Sequence, residues 1–335
     1  MHYFALDEQI AAQSEALRLL QQRIVVPQLD ASRPIYFTGI GTSLHACRIA
    51  ADWARILSQG AIRPLALSAH DLALYAPLHQ EDQIIVVSHR GTKRFPTEVF
   101  MRARQVGATT IAVVGEEAPE QVADITIRTC PGEKAGTHTV SYSSALYVVA
   151  HLVGRLVGER GKELLDALTV VPGAIDQVLA QPAPVEVAEQ LQAYEPLLIT
   201  GSGLDAITAE EIALKFKEGT YTWAEGMDTE NALHGPPAAY RQGMAAITIT
   251  PAHDDGGRTV SLRTLCQELG VYAIACGSAD EVLQFPAVPY LVRPFVALVP
   301  LQRLVAELAR LKQTNPDLIH GDQEPWATAM GNVML

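Results

Sequence analysis

The apolar positions of this chain fall into short continuous runs and longer stretches with helical spacing. The run at 84–87 is apolar at every position, which is typical of a parallel strand buried on both faces. Together the patterns predict strands at 35–37, 84–87, 109–114 and 123–127, and helices at 6–22, 96–106 and 143–157. Because strand and helix alternate, a doubly wound parallel sheet is predicted.

The order of strand, glycine turn and helix occurs twice. LLITGSG at 197–203 repeats the pattern of YFTGIG at 36–41 after about 160 residues, the size of one domain. A proline-rich stretch lies between the repeats, and the second half adds predicted strands at 245–250 and 272–276 and a helix at 300–312. We therefore predict an α/β protein of two tandem flavodoxin-like doubly wound parallel-sheet domains, each a three-layer αβα sandwich, at 1–180 and 181–335.

Composition favours a soluble globular protein. Of the 335 residues, 48% are hydrophobic, and no apolar run is long enough to cross a bilayer. The start of the chain carries Asp7 and Glu8 and no basic stretch before an apolar segment, so a signal peptide is not predicted. We expect a cytoplasmic protein with no membrane partner.

Charge and cysteine content narrow the ligand classes. The formal net charge is −12 and no basic run occurs, which argues against nucleic-acid binding but still permits a small anion at a helix N-terminus. The four cysteines lie far apart without a C-x-x-C pair. We expect reduced, packed thiols and no metal site.

A glycine turn follows the first predicted strand. Gly39 and Gly41 precede Thr42 and Ser43, which open a helix and so place hydroxyl groups among unpaired backbone N–H groups. A phosphate would fit there, although a helix N-cap without a ligand explains the residues equally well. The third glycine of a dinucleotide fingerprint is absent, because Leu44 follows Ser43.

A second polar turn, SHRGTK, follows the strand at 84–87. It contains Ser88, His89, Arg90 and Lys93 and lies at the carboxyl end of a parallel strand, where open α/β sheets bind ligands. Two cations and a hydroxyl group suit an anion. The alternative is a solvated basic loop.

Charged residues recur along one face of the helix that contains ALKFKE. Glu211, Lys215 and Glu218 are spaced by four and three residues and share a stripe, with apolar residues on both sides. The Glu211–Lys215 spacing is also typical of a surface ion pair. From spacing alone the stripe could face solvent or the interior.

Four segments together resemble the sugar isomerase (SIS) family. They are TGIGTSLHA, VSHRGTKRFPTE, GTHTVSYSSAL and GSGLDAITAEEIALKFKEGTYTWAEGMDTENALHGP. The resemblance covers nearly the whole chain and is strongest to the tandem isomerase half of glucosamine-6-phosphate synthase and to stand-alone phosphosugar deaminases and deglycases.

The resemblance implies a set of site residues. Substrate binding is implied for residues of the two polar turns, of the GTHT segment and of the charged helix: Gly41, Thr42, Ser43, Ser88, His89, Arg90, Lys93, Thr137, His138 and Glu211. Glu218 matches the carboxylate that moves a proton between C1 and C2. Its helix neighbour Lys215 is also expected to be catalytic, because a lysine there can stabilise the enediolate charge. His234, in HGP, matches a ring-opening histidine contributed by the other subunit of a dimer. The resemblance favours the inward orientation of the charged stripe.

The sequence departs from the family pattern at several positions. The family's serine turn usually reads S-Q-S-G-E-T, so Arg90 and Lys93 replace two hydroxyl residues here. The synthase carries a reactive lysine in its tail, whereas no lysine follows Lys312, and the tail offers Asp317, His320, Asp322 and Glu324 instead. Residue 2 is His2 and not a nucleophilic cysteine, and no glutaminase domain precedes the first strand. We expect no glutamine-dependent amination.

The sequence thus favours a phosphosugar isomerase, deaminase or deglycase that acts on an amino or ketose sugar phosphate as a homodimer and needs no cofactor. The alternative is a sugar-phosphate binding protein that does not transform its ligand. Nucleotide-dependent redox chemistry is disfavoured by the incomplete glycine fingerprint.

Overall fold

A computed structural model describes residues 3–278 and 280–333. Contacts divide the chain into two compact units, each built on one β-sheet. The N-sheet unit comprises residues 15–133, 140–169 and 323–333, and the C-sheet unit comprises residues 3–14, 134–139, 170–278 and 280–322. His2, which bears on the expected absence of glutaminase chemistry, lies outside the described residues. The first helix, α1 (Ala5–Arg23), contributes residues to both units.

The N-sheet unit is a parallel sheet flanked by helices. In chain order it contains β1 (Ile35–Gly39), α2 (Thr42–Leu57), β2 (Leu65–Ser68), α3 (Ala69–Leu74), β3 (Gln83–Val87), α4 (Arg94–Val106), β4 (Thr109–Val114), β5 (Ile125–Arg128), α5 (Val140–Leu156) and α6 (Gly161–Leu168). The strand order is β2-β1-β3-β4-β5, and every pair is parallel.

The C-sheet unit repeats this topology. It contains α7 (Val171–Leu179), α8 (Val185–Leu191), β6 (Leu197–Gly201), α9 (Leu204–Thr220), β7 (Ala224–Asp228), α10 (Thr229–Leu233), β8 (Ala245–Ile249), α11 (Arg258–Glu268), β9 (Tyr272–Gly277), β10 (Leu283–Gln284), α12 (Arg293–Val296) and α13 (Leu298–Lys312). The chain ends in α14 (Trp326–Gly331), which belongs to the N-sheet unit. The order β7-β6-β8-β9-β10 is parallel throughout and corresponds to that of the first sheet. Two tandem doubly wound αβα units are thus confirmed.

Three of the inner strands, β3, β6 and β8, are buried along their whole length. Every residue of β3, β6 and β8 is buried, because helices cover both faces of each sheet. The edge strands β2 and β7 were not predicted, since LALS is half-exposed and AEGMD lacks β-branched residues. All four cysteines are free and buried, as expected. Among the described helices, none is long and apolar enough to span a bilayer.

The repeated glycine turns have nearly the same backbone geometry. Gly41 precedes α2 with φ 54° and ψ −125°, and Gly203 precedes α9 with φ 62° and ψ −125°. A positive φ strains any residue with a Cβ. Two residues earlier, Gly39 and Gly201 pass so close to the following helix that an added Cβ would lie 2.7 Å from Ser43 Cβ and 2.4 Å from the Asp205 carbonyl oxygen, respectively. The internal repeat that the sequence predicts is therefore also present in the backbone conformation of the two glycine turns.

Candidate functional site

The charged stripe of α9 faces the protein interior. The Lys215 Nζ lies 2.8 Å from Glu218 Oε2 and 3.4 Å from Glu211 Oε1. The side chains of Glu211 and Lys215 are each 1% exposed, whereas that of Glu218 is 24% exposed. The inward orientation is confirmed for the first two residues. Of these three side chains, that of Glu218 is the one exposed enough to contact solvent or a ligand.

The net charge of this group suits a carboxylate that exchanges protons. Two carboxylates surround one ammonium group, so the trio carries a single negative charge when all three are ionised. When Glu218 takes up a proton, Glu211 and Lys215 remain as a neutral buried pair. Protonation of Glu218 thus leaves no buried charge unpaired, which would otherwise be costly.

The end of α9 is packed against two distant segments of the C-sheet unit. A Cβ on Gly219 would lie 3.5 Å from Pro316 Cβ and 3.6 Å from Thr137 Oγ1. The buried Thr137 hydroxyl donates to the Pro316 carbonyl oxygen at 2.8 Å, and the Thr314 hydroxyl donates to the Gly219 carbonyl oxygen at 2.7 Å. Both the GTHT segment and the chain after α13 therefore contact α9 at Gly219, the residue that follows Glu218.

The acidic tail residue Asp317 has a structural position. Its two carboxylate oxygens accept hydrogen bonds from the backbone N–H groups of Ala5 and Leu6, at 2.8 and 2.9 Å, at the start of α1. A carboxylate there satisfies unpaired N–H groups and favours the positive end of the helix. No local pattern in the sequence indicated this pairing, because the partners are 311 and 312 residues apart.

His234 lies on the surface of the C-sheet unit, at the end of α10. Its side chain is 70% exposed, and its Nε2 lies 2.7 Å from Glu230 Oε1. Glu230 also forms an ion pair with Arg258 at 2.9 Å. The carboxylate orients the imidazole ring and leaves most of it open to solvent.

In the N-sheet unit, Gly41, Thr42 and Ser43 form the turn between β1 and α2. All three are partly exposed. The N–H group of Ser43 bonds to the Ile40 carbonyl oxygen at 3.2 Å, within the turn that begins the helix. These small and hydroxyl residues lie at the carboxyl end of a central strand and at a helix N-terminus, a combination that suits an anion.

Ser88 and His89 directly follow β3, the neighbour of β1. Ser88 is buried, and its backbone bonds to Val113 and Gly91 hold the turn in place. The His89 ring is also largely enclosed, and its Nε2 accepts a hydrogen bond from the Glu133 N–H group at 3.3 Å. Burial lowers the pKa of His89. The ring is therefore neutral at pH 7, with Nε2 as the acceptor.

Arg90 and Lys93 place two cations in the same turn. Neither forms an ion pair within the described residues, and Lys93 is the residue before the first turn of α4. Burial lowers the pKa of Lys93, and the neighbouring charge of Arg90 lowers it further. Two cations that repel each other at the positive end of a helix would be stabilised by a bound anion.

The GTHT segment connects the units in sequence. Thr137 is buried against the chain after α13, as described above, and His138 is half-buried. Glu133, just before this segment, accepts hydrogen bonds from the N–H groups of Val140 and Ser141 at 3.2 and 2.9 Å and so caps α5.

The glycine turn of the C-sheet unit is occupied by protein side chains, which the sequence did not reveal. The Tyr290 hydroxyl accepts a hydrogen bond from the Leu204 N–H group at 3.0 Å, at the start of α9. Next to it, Arg293 forms a buried ion pair with Asp205 at 2.7 Å. Burial raises the pKa of Asp205, although Arg293 opposes the shift. The Leu204 N–H group is thus already bound to the Tyr290 hydroxyl, so we consider the turn at Gly41 the better candidate for an anion site.

Comparison with known proteins agrees with this architecture. No family model matches the chain. A glutamine–fructose-6-phosphate aminotransferase (isomerizing) of Thermococcus kodakarensis is 27% identical over 315 residues, which are 88% of this chain and 52% of that protein. The C-terminal domain of the glucosamine-fructose-6-phosphate aminotransferase of Francisella tularensis superposes with a TM-score of 0.78 at 18% identity, over 94% of this chain and 98% of that one.

The chain is thus similar in sequence to an isomerizing aminotransferase and shares the fold of the C-terminal domain of another. It spans about half the length of the curated relatives that it matches. The glucosamine-6-phosphate deaminase of Thermotoga maritima has the same fold, with a TM-score of 0.73 at 18% identity over 94% of this chain and 95% of that chain. The same fold therefore occurs in proteins named as an aminotransferase and as a deaminase of sugar phosphates.

Proposed function

We propose that this protein is a phosphosugar isomerase, deaminase or deglycase that moves a proton between C1 and C2 of an amino or ketose sugar phosphate. Glu218 is the proton carrier. The single observation that carries the proposal is the buried Glu211–Lys215–Glu218 trio, in which Glu218 alone is substantially exposed.

The proton transfer follows from ordinary carbonyl chemistry. The Glu218 carboxylate removes the proton from C1 of the open-chain ketose, the C–H electron pair forms a C1–C2 double bond and the carbonyl electron pair moves to O2. The resulting enediolate then takes the proton back from Glu218 at C2. Lys215 acts as a positioning residue, because its ammonium group is enclosed by the two carboxylates. Glu211, whose Oε1 lies 3.4 Å from the Lys215 Nζ, holds the ammonium group in place.

The substrate phosphate is assigned to the two polar turns of the N-sheet unit. Thr42, Ser43 and Ser88 would contribute hydroxyl and backbone N–H groups, while Arg90 and Lys93, which have no ion-pair partner among the described residues, would attract an anionic ligand. Thr137 and His138, and the neutral ring of His89, belong to the proposed substrate surroundings.

The assembly is proposed to be a homodimer in which His234 acts on the substrate of the partner subunit. The support is the exposed imidazole, held by Glu230 and free to meet a second chain. A histidine of this kind can carry the proton that opens the sugar ring. Sedimentation as a stable monomer at micromolar concentration would overturn this part of the proposal.

Proton exchange in D2O tests the central claim. The protein is incubated with fructose, glucose, tagatose and glucosamine 6-phosphates, and loss of the C1 and C2 proton signals is followed by NMR. Exchange with at least one sugar phosphate is expected, with none in Glu218→Gln. Exchange that persists in this variant would exclude Glu218 as the carrier.

One observation favours a second function, that of a sugar-phosphate binding protein without turnover. Arg90 and Lys93, for which the described part of the chain provides no ion-pair partner, would strengthen anion binding without contributing to proton transfer. Saturable binding of sugar phosphates without any exchange at C1 or C2 would favour this second function over the first.

A further inference from the structure

Two consecutive residues after α13 have a strained backbone. Ile319 has φ 49° and His320 has φ 60°, both in the left-handed region. A β-branched residue there is a clear outlier. Strain of this kind persists only where surrounding contacts impose it, and it concentrates at functional sites.

Contacts with Tyr221 impose this conformation on the segment 313–322, here called the tail segment. The His320 N–H group donates to the Tyr221 hydroxyl oxygen at 2.9 Å, and the two rings stack with centroids 3.4 Å apart and planes 21° apart. The Tyr221 hydroxyl in turn donates to the Asn315 carbonyl oxygen at 3.1 Å. Ile319 packs closely on Gly136, where an added Cβ would lie 2.9 Å from Ile319 Cδ1.

This arrangement brings the imidazole ring to the end of the helix that carries the proposed base. Tyr221 caps α9 and follows Glu218 by three residues, which is one helical turn. Between them, Gly219 packs against Pro316 of the tail segment. Because the tail segment is fixed on both Tyr221 and Gly219, the His320 ring is held at the same end of α9 as the Glu218 carboxylate.

Isomerisation of a sugar phosphate needs two proton carriers. One moves the proton between C1 and C2, and the other moves a proton between the two oxygens. Glu218 can perform the first task, and an imidazole group, which both donates and accepts near neutral pH, is suited to the second.

We propose that His320 is this second carrier, an inference that rests on the proposed function. When Glu218 takes the C1 proton, the imidazolium of His320 donates its proton to O2, which yields the neutral enediol. The imidazole then accepts the proton of O1 as the C1 carbonyl forms, and Glu218 delivers its proton to C2. Both residues return to their starting states, and no other reactant is needed.

Two variants separate this role from a structural one. His320→Asn suits a left-handed backbone but cannot carry the proton, while His320→Phe keeps the ring stacked on Tyr221. The reactions are run in D2O with fructose 6-phosphate and with the other three 6-phosphates named above. Two rates are measured: deuterium uptake into the remaining substrate and conversion of substrate into product. The quantity compared between proteins is the ratio of the first rate to the second. Thermal unfolding of both variants is followed in parallel.

In a variant without the second carrier, we expect the enediolate formed by Glu218 to return to the starting sugar phosphate more often than it is converted into product. The ratio is expected to rise at least about tenfold in both variants, since general acid–base groups contribute about 10²–10⁴-fold to rates. An unchanged ratio in either folded variant, even with both rates lowered, would overturn the role of His320 and leave that of Glu218 intact. Absence of exchange in the wild type with all four sugar phosphates would overturn the proposed function and this inference together.

Discussion

Replacing Lys215 by methionine tests whether the buried charges of α9 depend on one another. Methionine keeps the length and apolar volume of the lysine side chain but removes the ammonium group. Glu211, whose side chain is 1% exposed, then loses its cation at 3.4 Å, while the more exposed Glu218 can turn toward water. The variant therefore removes the Lys215 cation from beside the buried Glu211 carboxylate.

The expected cost is about 3–5 kcal/mol of unfolding free energy, the usual effect of leaving one member of a buried ion pair uncompensated. At about 2–4 °C per kcal/mol, the melting temperature should fall on the order of 10 °C. The double variant Glu211→Gln/Lys215→Met should lose markedly less, because no buried charge is left unpaired.

Urea unfolding at pH 7 of the wild type and the single and double variants measures these differences. Lys217→Met is a matched control on the same helix, since Lys217 is partly exposed and lies over the Trp223 ring at 5.6 Å. It should change the unfolding free energy by less than about 1 kcal/mol. If Lys215→Met were no more destabilising than this control, the electrostatic account of the stripe would be refuted.

Three further predictions concern catalysis, ligand binding and pH. Glu218→Gln should lower turnover by roughly two to four orders of magnitude while the Kd for the sugar phosphate, measured calorimetrically, stays nearly constant; a parallel loss of affinity would point to a binding role. Arg90→Ser should weaken sugar-phosphate affinity and reduce its salt dependence, whereas Arg94→Ser, whose arginine is already paired with a glutamate at 2.8 Å, should do neither. Burial lowers the pKa of His151 from its ordinary value of 6.5, so the unfolded chain binds the proton more readily. The stability that comes from this shift is present above about pH 6.5 and is lost as the pH falls through the folded pKa. In urea unfolding, the His151→Leu variant should therefore lose less unfolding free energy on acidification than the wild type. An equal loss in both proteins would show that other groups cause the acid destabilisation.

The fold was predictable because its signals are local. Runs such as 84–87 and 109–114 are apolar wherever a strand is covered on both faces, and β4 has the predicted bounds. The glycine turns at Gly41 and Gly203 were also readable, since close approach to a helix and a positive φ both demand glycine. The edge strands β2 and β7 escaped prediction because an edge position relaxes the hydrophobic pattern, although the edge strand β5 was predicted at 123–127.

The candidate site was predictable only in part. The spacing of Glu211, Lys215 and Glu218 placed them on one face of a helix, but the same spacing fits a surface ion pair. Burial by neighbouring elements decided between the two. The cations at Arg90 and Lys93 were visible in the sequence, whereas their lack of ionic partners within the described residues required the folded chain.

The sequence by itself determined the alternation of strand and helix, the internal repeat and the shared face of the charged residues, because each depends on neighbours a few positions away. Tertiary structure alone decided that Asp317 caps α1, that Tyr290 occupies the second glycine turn and that His320 stacks on Tyr221 at the end of α9. These contacts join residues between 86 and 312 positions apart. Local propensity carries no signal for such pairs, since only the packing of whole elements brings them together.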